Sequence, residues 1–130
     1  MKQIVILPLL VAVVGLGAAA SHKGQYRNLK VLPKDISSKD LQGVMTDDFE
    51  DGLGISCGFC HAANKNGRGL DFASDAKPEK EIARKMMRMT LDLNKEYFKV
   101  HKPRIGNNTL TITCATCHKG EPFPDGDVLH

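Results

Sequence analysis

The sequence predicts one mainly α-helical domain built from two similar units. In each unit a helix that carries a methionine precedes a loop and then the pattern Cys-x-x-Cys-His, first from Met45 to Cys57 and again from Met86 to Cys114. A length of 130 residues, with 42% hydrophobic and 25% charged positions, fits one compact domain and argues against a disordered or fibrous protein. The formal charge of +3 is too small to indicate a nucleic-acid partner.

The N-terminal segment has the features of an export signal. Residues 4–20 form an uncharged apolar run behind Lys2 and end in three alanines, so we predict a signal peptide over 1–20 with cleavage before Ser21. The alternative is an uncleaved anchor, because a membrane-spanning helix needs roughly 17–25 apolar residues. We therefore expect a periplasmic or exported domain at 21–130, which contacts the membrane only if the segment is retained.

The first helix is predicted over about residues 38–51. Ser37 with Asp40 three positions later resembles a capping box, and Gly52 and Gly54 supply the stop. Apolar side chains recur at helical spacing at Leu41, Val44, Met45 and Phe49. The polar, glycine-containing residues 62–77 are predicted to form a loop.

The second helix is predicted from Pro78 to about residue 100, because proline and acidic residues suit a first turn. Its apolar stripe consists of Ile82, Met86, Met89, Leu93, Tyr97 and Val100. Met87 falls about 140° from Ile82 and is expected at the edge of the packing. Residues 101–113 and the tail from Gly120 are predicted to be irregular.

All four cysteines lie in two identical patterns. These are Cys57-Gly58-Phe59-Cys60-His61 and Cys114-Ala115-Thr116-Cys117-His118. Both match the c-type haem attachment pattern, in which two thiols bond to the porphyrin and the adjacent histidine ligates the iron. The sequence thus predicts a small multihaem cytochrome c, with two helix-loop-CxxCH units packed around two covalent haem c groups. Such cofactors would also fill the interior of a chain that has no Trp, five Phe and two Tyr.

Two other uses of the cysteines fit less well. A redox-active disulfide of the thioredoxin kind needs a βαβ context that the pattern lacks. A zinc site built from both pairs would leave the two histidines unexplained.

The second axial ligand of each iron decides between electron transfer and small-ligand binding, since an open position binds ligands. Met45 lies on the first apolar stripe, 12 residues before Cys57, and its other interpretation is an ordinary core methionine. Met86 and Met89 share the second stripe, so spacing does not choose between them.

Two stretches resemble a known family: ARKMMRMTLDLN at 83–94 and ITCATCHKG at 112–120. They are similar to the cytochrome c subunit of photosynthetic reaction centres, and more particularly to its small two-haem relatives outside photosynthesis. The resemblance runs from about Asn28 to Pro122. It implies that Met86 is the second haem's ligand, that Met89 packs, and that Met45 ligates the first haem.

Two departures limit this resemblance. The photosynthetic members hold four haems, whereas this chain has attachment sites for two, so docking to a reaction centre is not carried over. His101 lies near a family histidine that ligates another haem, but that haem has no attachment site here, and an exposed histidine is the other interpretation. His22 and His130 are expected to be solvated.

The basic residues Arg84, Lys85, Arg88 and Arg104 are candidates for pairing with haem propionates, the alternative being a solvated helix face. The resulting hypothesis is a one-electron carrier between redox partner proteins, not an enzyme and without catalytic residues. The alternative is a small haem enzyme or ligand sensor with one open iron, for instance in peroxide reduction, for which no distal acid–base residue is evident.

Overall fold

The computed structural model describes residues 26–106 and 110–124, which are mainly helical as predicted. Helix α1 (Ser38–Gly43) continues into a π-helix (Val44–Asp51), followed by α2 (Cys57–Cys60), α3 (Pro78–Glu96) and α4 (Cys114–His118). No helix within these two ranges is long and apolar enough to cross a membrane. The predicted signal peptide, His22 and His130 lie outside the described residues.

The first helix covers the predicted span, but its second half is π-helical. Ser37 caps it, because its hydroxyl accepts a hydrogen bond from the Asp40 N–H at 3.1 Å. The four predicted apolar side chains all belong to the hydrophobic core or pack against it. The chain then turns at Gly54, whose φ of 62° suits glycine. A Cβ at this position would overlap the carbonyl oxygen of Gly120.

Helix α3 begins at Pro78 as predicted but ends at Glu96, about four residues earlier than the apolar stripe suggested. Lys99 adopts a left-handed conformation, and the Val100 N–H returns to bond the Asn94 carbonyl at 3.0 Å. Such a reversal ends a helix. It was not predicted, because Tyr97 and Val100 continue the apolar spacing of the helix beyond its end.

The orientation of α3 differs from the prediction for Met87, which was wrong. Met87 is 5% exposed and belongs to the core, whereas Met86 and Met89 on the predicted stripe are 43% and 48% exposed. Two faces of the helix therefore carry apolar side chains. The face with Met87 packs into the core, and the face with Met86 and Met89 lines a cavity described below.

The predicted loop at 62–77 contains a small antiparallel hairpin. Strands β1 (Ala62–Ala63) and β2 (Leu70–Asp71) pair with Ala62 opposite Asp71. Asn64 closes the turn, since its side-chain amide donates to the Arg68 carbonyl at 2.8 Å. Two residues per strand are too few for a period-two pattern to be visible in the sequence.

The hydrophobic core is small. Its buried members within the described ranges are Leu32, Ile36, Val44, Met87 and Ile105. The two units also interlock, because α2 packs on α3 whereas α4 packs on the π-helix. Each Cys-x-x-Cys-His segment thus lies against the helix of the other unit.

Candidate haem sites

The first cavity has a volume of about 710 Å³ and brings together one complete set of predicted residues. Cys57, Cys60 and His61 line it from α2 and the residue that follows, and Met45 lines it from the π-helix. Met45 is half-buried and also packs against the core, so its position fits both interpretations, an iron ligand and an ordinary core methionine.

The second cavity has a volume of about 340 Å³ and brings together the other set. Cys114, Cys117 and His118 line it from α4, and Met86 and Met89 line it from α3. The exposed stripe of α3 is therefore the wall of a cavity. Both methionines reach it, so the choice between them stays with the resemblance.

The two cavities are neighbours, because some side chains line both. These are Phe49, Ile55, Cys60, Ala83 and Met87. Met87 was not a candidate at the sequence level, yet it belongs to the core and to both walls. The side chains that line both cavities form the partition between them.

The surroundings of His61 fit an iron ligand. Its ring meets the Phe72 ring edge-on at a centroid distance of 5.0 Å, and its buried Nδ1 has no hydrogen-bond partner among the described residues. Burial lowers the pKa of His61, and the charge of Lys80 lowers it further. A neutral imidazole keeps the lone pair that coordination requires.

His118 is oriented by a backbone group that sequence reasoning missed. Its Nδ1–H donates to the Glu121 carbonyl oxygen at 2.9 Å. A carbonyl only accepts, so Nδ1 carries a proton, and Nε2 is the ring nitrogen left for a metal. The turn that makes this possible follows Lys119, which is left-handed and ends α4.

The helical turns that carry the thiols are held by local bonds. In α4, Thr113 and Thr116 form a reciprocal capping box. In α2, the His61 N–H bonds the Cys57 carbonyl at 3.0 Å, and the Lys77 ammonium donates to the Gly58 carbonyl. Residues three apart on a helical turn share a face, and both cysteines of each pair line the same cavity.

All four thiols are free. Burial raises the pKa of Cys60, and burial together with the charge of Asp48 raises the pKa of Cys114 to about 11. Reactive redox cysteines have lowered pKa values, so Cys60 and Cys114 do not have that character. In the described ranges no group of three or more His, Cys, Asp or Glu forms a metal site, so the cysteine pairs do not converge as a zinc cluster.

Asn94 is the main positioning residue that the sequence did not reveal. It is fully buried, and its Oδ1 accepts from the backbone N–H groups of Thr111 and Ile112 at 2.7 and 3.1 Å. Its Nδ2 donates to the carbonyls of Thr90 and Ile112, both at 2.8 Å. The side chain thereby ties the segment before α4 to α3. A polar residue on the helix face of Met87 was the available signal.

The candidate propionate partners divide into two groups. Arg84 is buried, which corrects the solvated-face alternative for this residue, and it lies 2.9 Å from Asp75 and 3.1 Å from Glu81. Arg84 also lines the first cavity. Lys85, Arg88 and Arg104 are exposed and line neither cavity, and the last two pair with acids. His101 is exposed.

Comparison with known proteins places these sites in context. The family model described as photosynthetic reaction centre cytochrome C subunit matches residues 9–128. Cytochrome c-554 of Chloroflexus aurantiacus is 36% identical over 87 residues, which are 67% of this chain and 19% of that protein. The photosynthetic reaction center cytochrome c subunit of Rubrivivax gelatinosus is 34% identical over 68 residues, 52% of this chain and 15% of that protein. The chain thus spans less than a fifth of these curated relatives. No solved structure matches it.

Proposed function

Because the chain belongs to the photosynthetic reaction centre cytochrome c subunit family, we propose that it is an exported diheme c-type cytochrome that carries single electrons between redox partner proteins. The observation that carries this proposal is the pair of adjacent cavities. Each is lined by one Cys-x-x-Cys pair, its histidine and a methionine. When bound, haem c supplies reversible one-electron chemistry at iron.

The residues of the chain hold, ligate and shield that group. The thiols of Cys57 and Cys60 would anchor it in the first cavity, where His61 and Met45 would bind its iron. In the second cavity, Cys114 and Cys117 would anchor the haem, and His118 and Met86 would bind its iron. An iron held by both a histidine and a methionine would have no free position for a substrate, which favours electron transfer over catalysis.

The side chains also set the reduction potential. A methionine ligand raises it relative to a second histidine, because a thioether stabilises reduced iron. The hydrogen bond from His118 to the Glu121 carbonyl holds the imidazole ring in place for the metal.

The first experiment is an absorption spectrum of the purified, dithionite-reduced protein before and after addition of carbon monoxide, with haem counted per chain. We expect two c-type haems and no response to carbon monoxide. A clear spectral shift would favour the ligand-binding or peroxide-reducing alternative, and an absence of haem bands would overturn the proposal.

The methionine ligands are tested by matched substitutions. Met86→Leu should open the second site to carbon monoxide and lower one potential, because leucine offers no donor atom. Met89→Leu, three residues away on the same cavity wall, is the control and should change neither property. The reverse result would assign Met89 as the ligand. For the first site, an unshifted potential and an unchanged spectrum in Met45→Leu would remove Met45 from the ligand set.

Export is tested by the N-terminal residue of the mature protein. Cleavage of residues 1–20 gives Ser21 as the first residue, as the small-residue site predicts. Met1 at the mature terminus would indicate a retained segment and a membrane-tethered electron carrier.

A further inference from the structure

The two cavities differ in the charge of their walls. Among the described residues that line the first cavity there are more cations than acids. The cations are Arg27, Lys30, Lys80 and Arg84, and the acids are Glu50 and Asp71. The second cavity contrasts with it, because Glu79 is the sole formally charged side chain among its described lining residues.

The two inner cations of the first cavity are shielded from solvent. The side chains of Lys80 and Arg84 are 12% and 7% exposed. Lys80 donates to the carbonyls of Phe72 and Ser74 at 2.8 and 2.6 Å, so its ammonium is fixed in place. Salt screens buried charges much less than exposed ones.

The acids that face these cations are more exposed. Asp75 lies 2.7 Å from Lys30, 2.9 Å from Arg84 and 3.7 Å from Lys80, and 41% of its side chain is exposed. Glu81 is 46% exposed and divides its carboxylate between Arg84 and Arg88. The most shielded charges at the first cavity are therefore the cations Lys80 and Arg84, whereas the carboxylates that pair with them lie closer to solvent.

The shielded charges of opposite sign lie on α3. Lys80 and Arg84 line the first cavity, whereas Glu79 lines the second. Glu79 adds a buried carboxylate oxygen at the second cavity, with no hydrogen-bond partner in the described part of the chain.

We infer that these charges place the first site at a higher reduction potential than the second. The inference rests on the proposed function, in which both sites have histidine and methionine ligands, so that charge becomes the main difference between them. Reduction adds one electron, which the shielded cations Lys80 and Arg84 stabilise at the first site and which the buried Glu79 carboxylate disfavours at the second. When the molecule holds a single electron, one site loses it as the other gains it, and at equilibrium it resides mainly at the first site.

The expected effect is measurable. A unit charge about 12 Å from another, at an effective dielectric constant of about 20, changes an equilibrium constant by about tenfold. For a one-electron step a tenfold change is about 59 mV. We therefore expect two resolved steps in a redox titration, with the first site as the upper one.

The test is a spectroscopic redox titration of the intact protein and of sign-matched variants. Lys80→Gln should lower the upper step by up to about tenfold in equilibrium constant, and glutamine can still donate to the carbonyls that the lysine serves. Asp75→Asn in the same cluster should raise the upper step. Glu79→Gln should raise the lower step, and Lys85→Gln on the exposed face of α3 should move neither.

The opposed signs separate electrostatics from structural damage, because loosening of the fold would move the Lys80 and Asp75 variants in the same direction. Coincident steps in the unmodified protein, equal directions in those two variants, or a Lys80→Gln effect at least as large on the lower step as on the upper one would overturn the inference while leaving a diheme carrier intact. A haem count other than two per chain would instead overturn the proposed function, and this ordering with it.

Discussion

Replacing Asn94 with alanine tests whether one buried amide holds the second site together. The substitution leaves the N–H groups of Thr111 and Ile112 and the Ile112 carbonyl without their partner. Thr111 is exposed, so water can replace its bond, and two partly buried groups remain unsatisfied. Each unsatisfied group costs roughly 1–3 kcal/mol, and the better helix propensity of alanine returns about 0.5 kcal/mol. The free energy of unfolding should therefore fall by about 3 kcal/mol.

The assay is denaturant unfolding of the purified protein, followed by the helical circular dichroism signal. Asp92→Ala, an exposed change on the same helix, is the control and should stay within about 0.5 kcal/mol of the unmodified protein. The loosened segment leads directly into α4, so the second site should also become reactive toward carbon monoxide. A loss below about 0.5 kcal/mol for Asn94→Ala would refute the positioning role.

Three further outcomes follow from the packing and the charges. Met87→Ala should cost about 2–5 kcal/mol of unfolding free energy and Met87→Leu less than about 1.5, as denaturant unfolding can check, and equal small costs would place Met87 outside the core. Gly54→Ala should prevent the close approach to Gly120 and lower the melting temperature more than Gly58→Ala, since a Cβ at Gly58 meets nothing within 4 Å. Hydrogen bonding to Lys30 holds the pKa of Asp75 below its usual value, so its contribution to stability is present above about pH 4 and is lost as pH falls through the lower folded-state pKa. Melting temperatures measured between pH 7 and pH 2 should therefore fall less steeply for Asp75→Asn, and parallel curves would contradict this.

The sequence predicted those features that depend on local chemistry. Ser37 and Pro78 marked the helix starts because capping and the fixed φ of proline act within one turn. The apolar positions of the first helix pointed into the core for the same reason. The two Cys-x-x-Cys-His patterns came from spacing and the two methionines from the family resemblance, and all members of each set line the same cavity.

The features that escaped prediction depend on contacts between distant segments. A helical wheel assigns one apolar face to the interior, but α3 has two: the face of Met87 packs against the core, and the face of Met86 and Met89 lines the second cavity. Met87 was misplaced for that reason, and Asn94 was overlooked because its partners at 111 and 112 are 17 and 18 residues away. Arg84 looked like a surface residue because its carboxylate partner Asp75 precedes the helix.

The interlocked packing links the two sites more closely than the repeat in the sequence suggests. Because α2 lies on α3 and α4 lies on the π-helix, the helix that supplies a methionine to one cavity also supports the attachment segment of the other. Met87 and Phe49 complete the arrangement by contributing to both walls. We therefore expect a change in packing at one site to reach the other through the side chains that line both cavities. The pair of sites is best understood as one unit, in which the charged wall beside Lys80 and Arg84 distinguishes two otherwise similar halves.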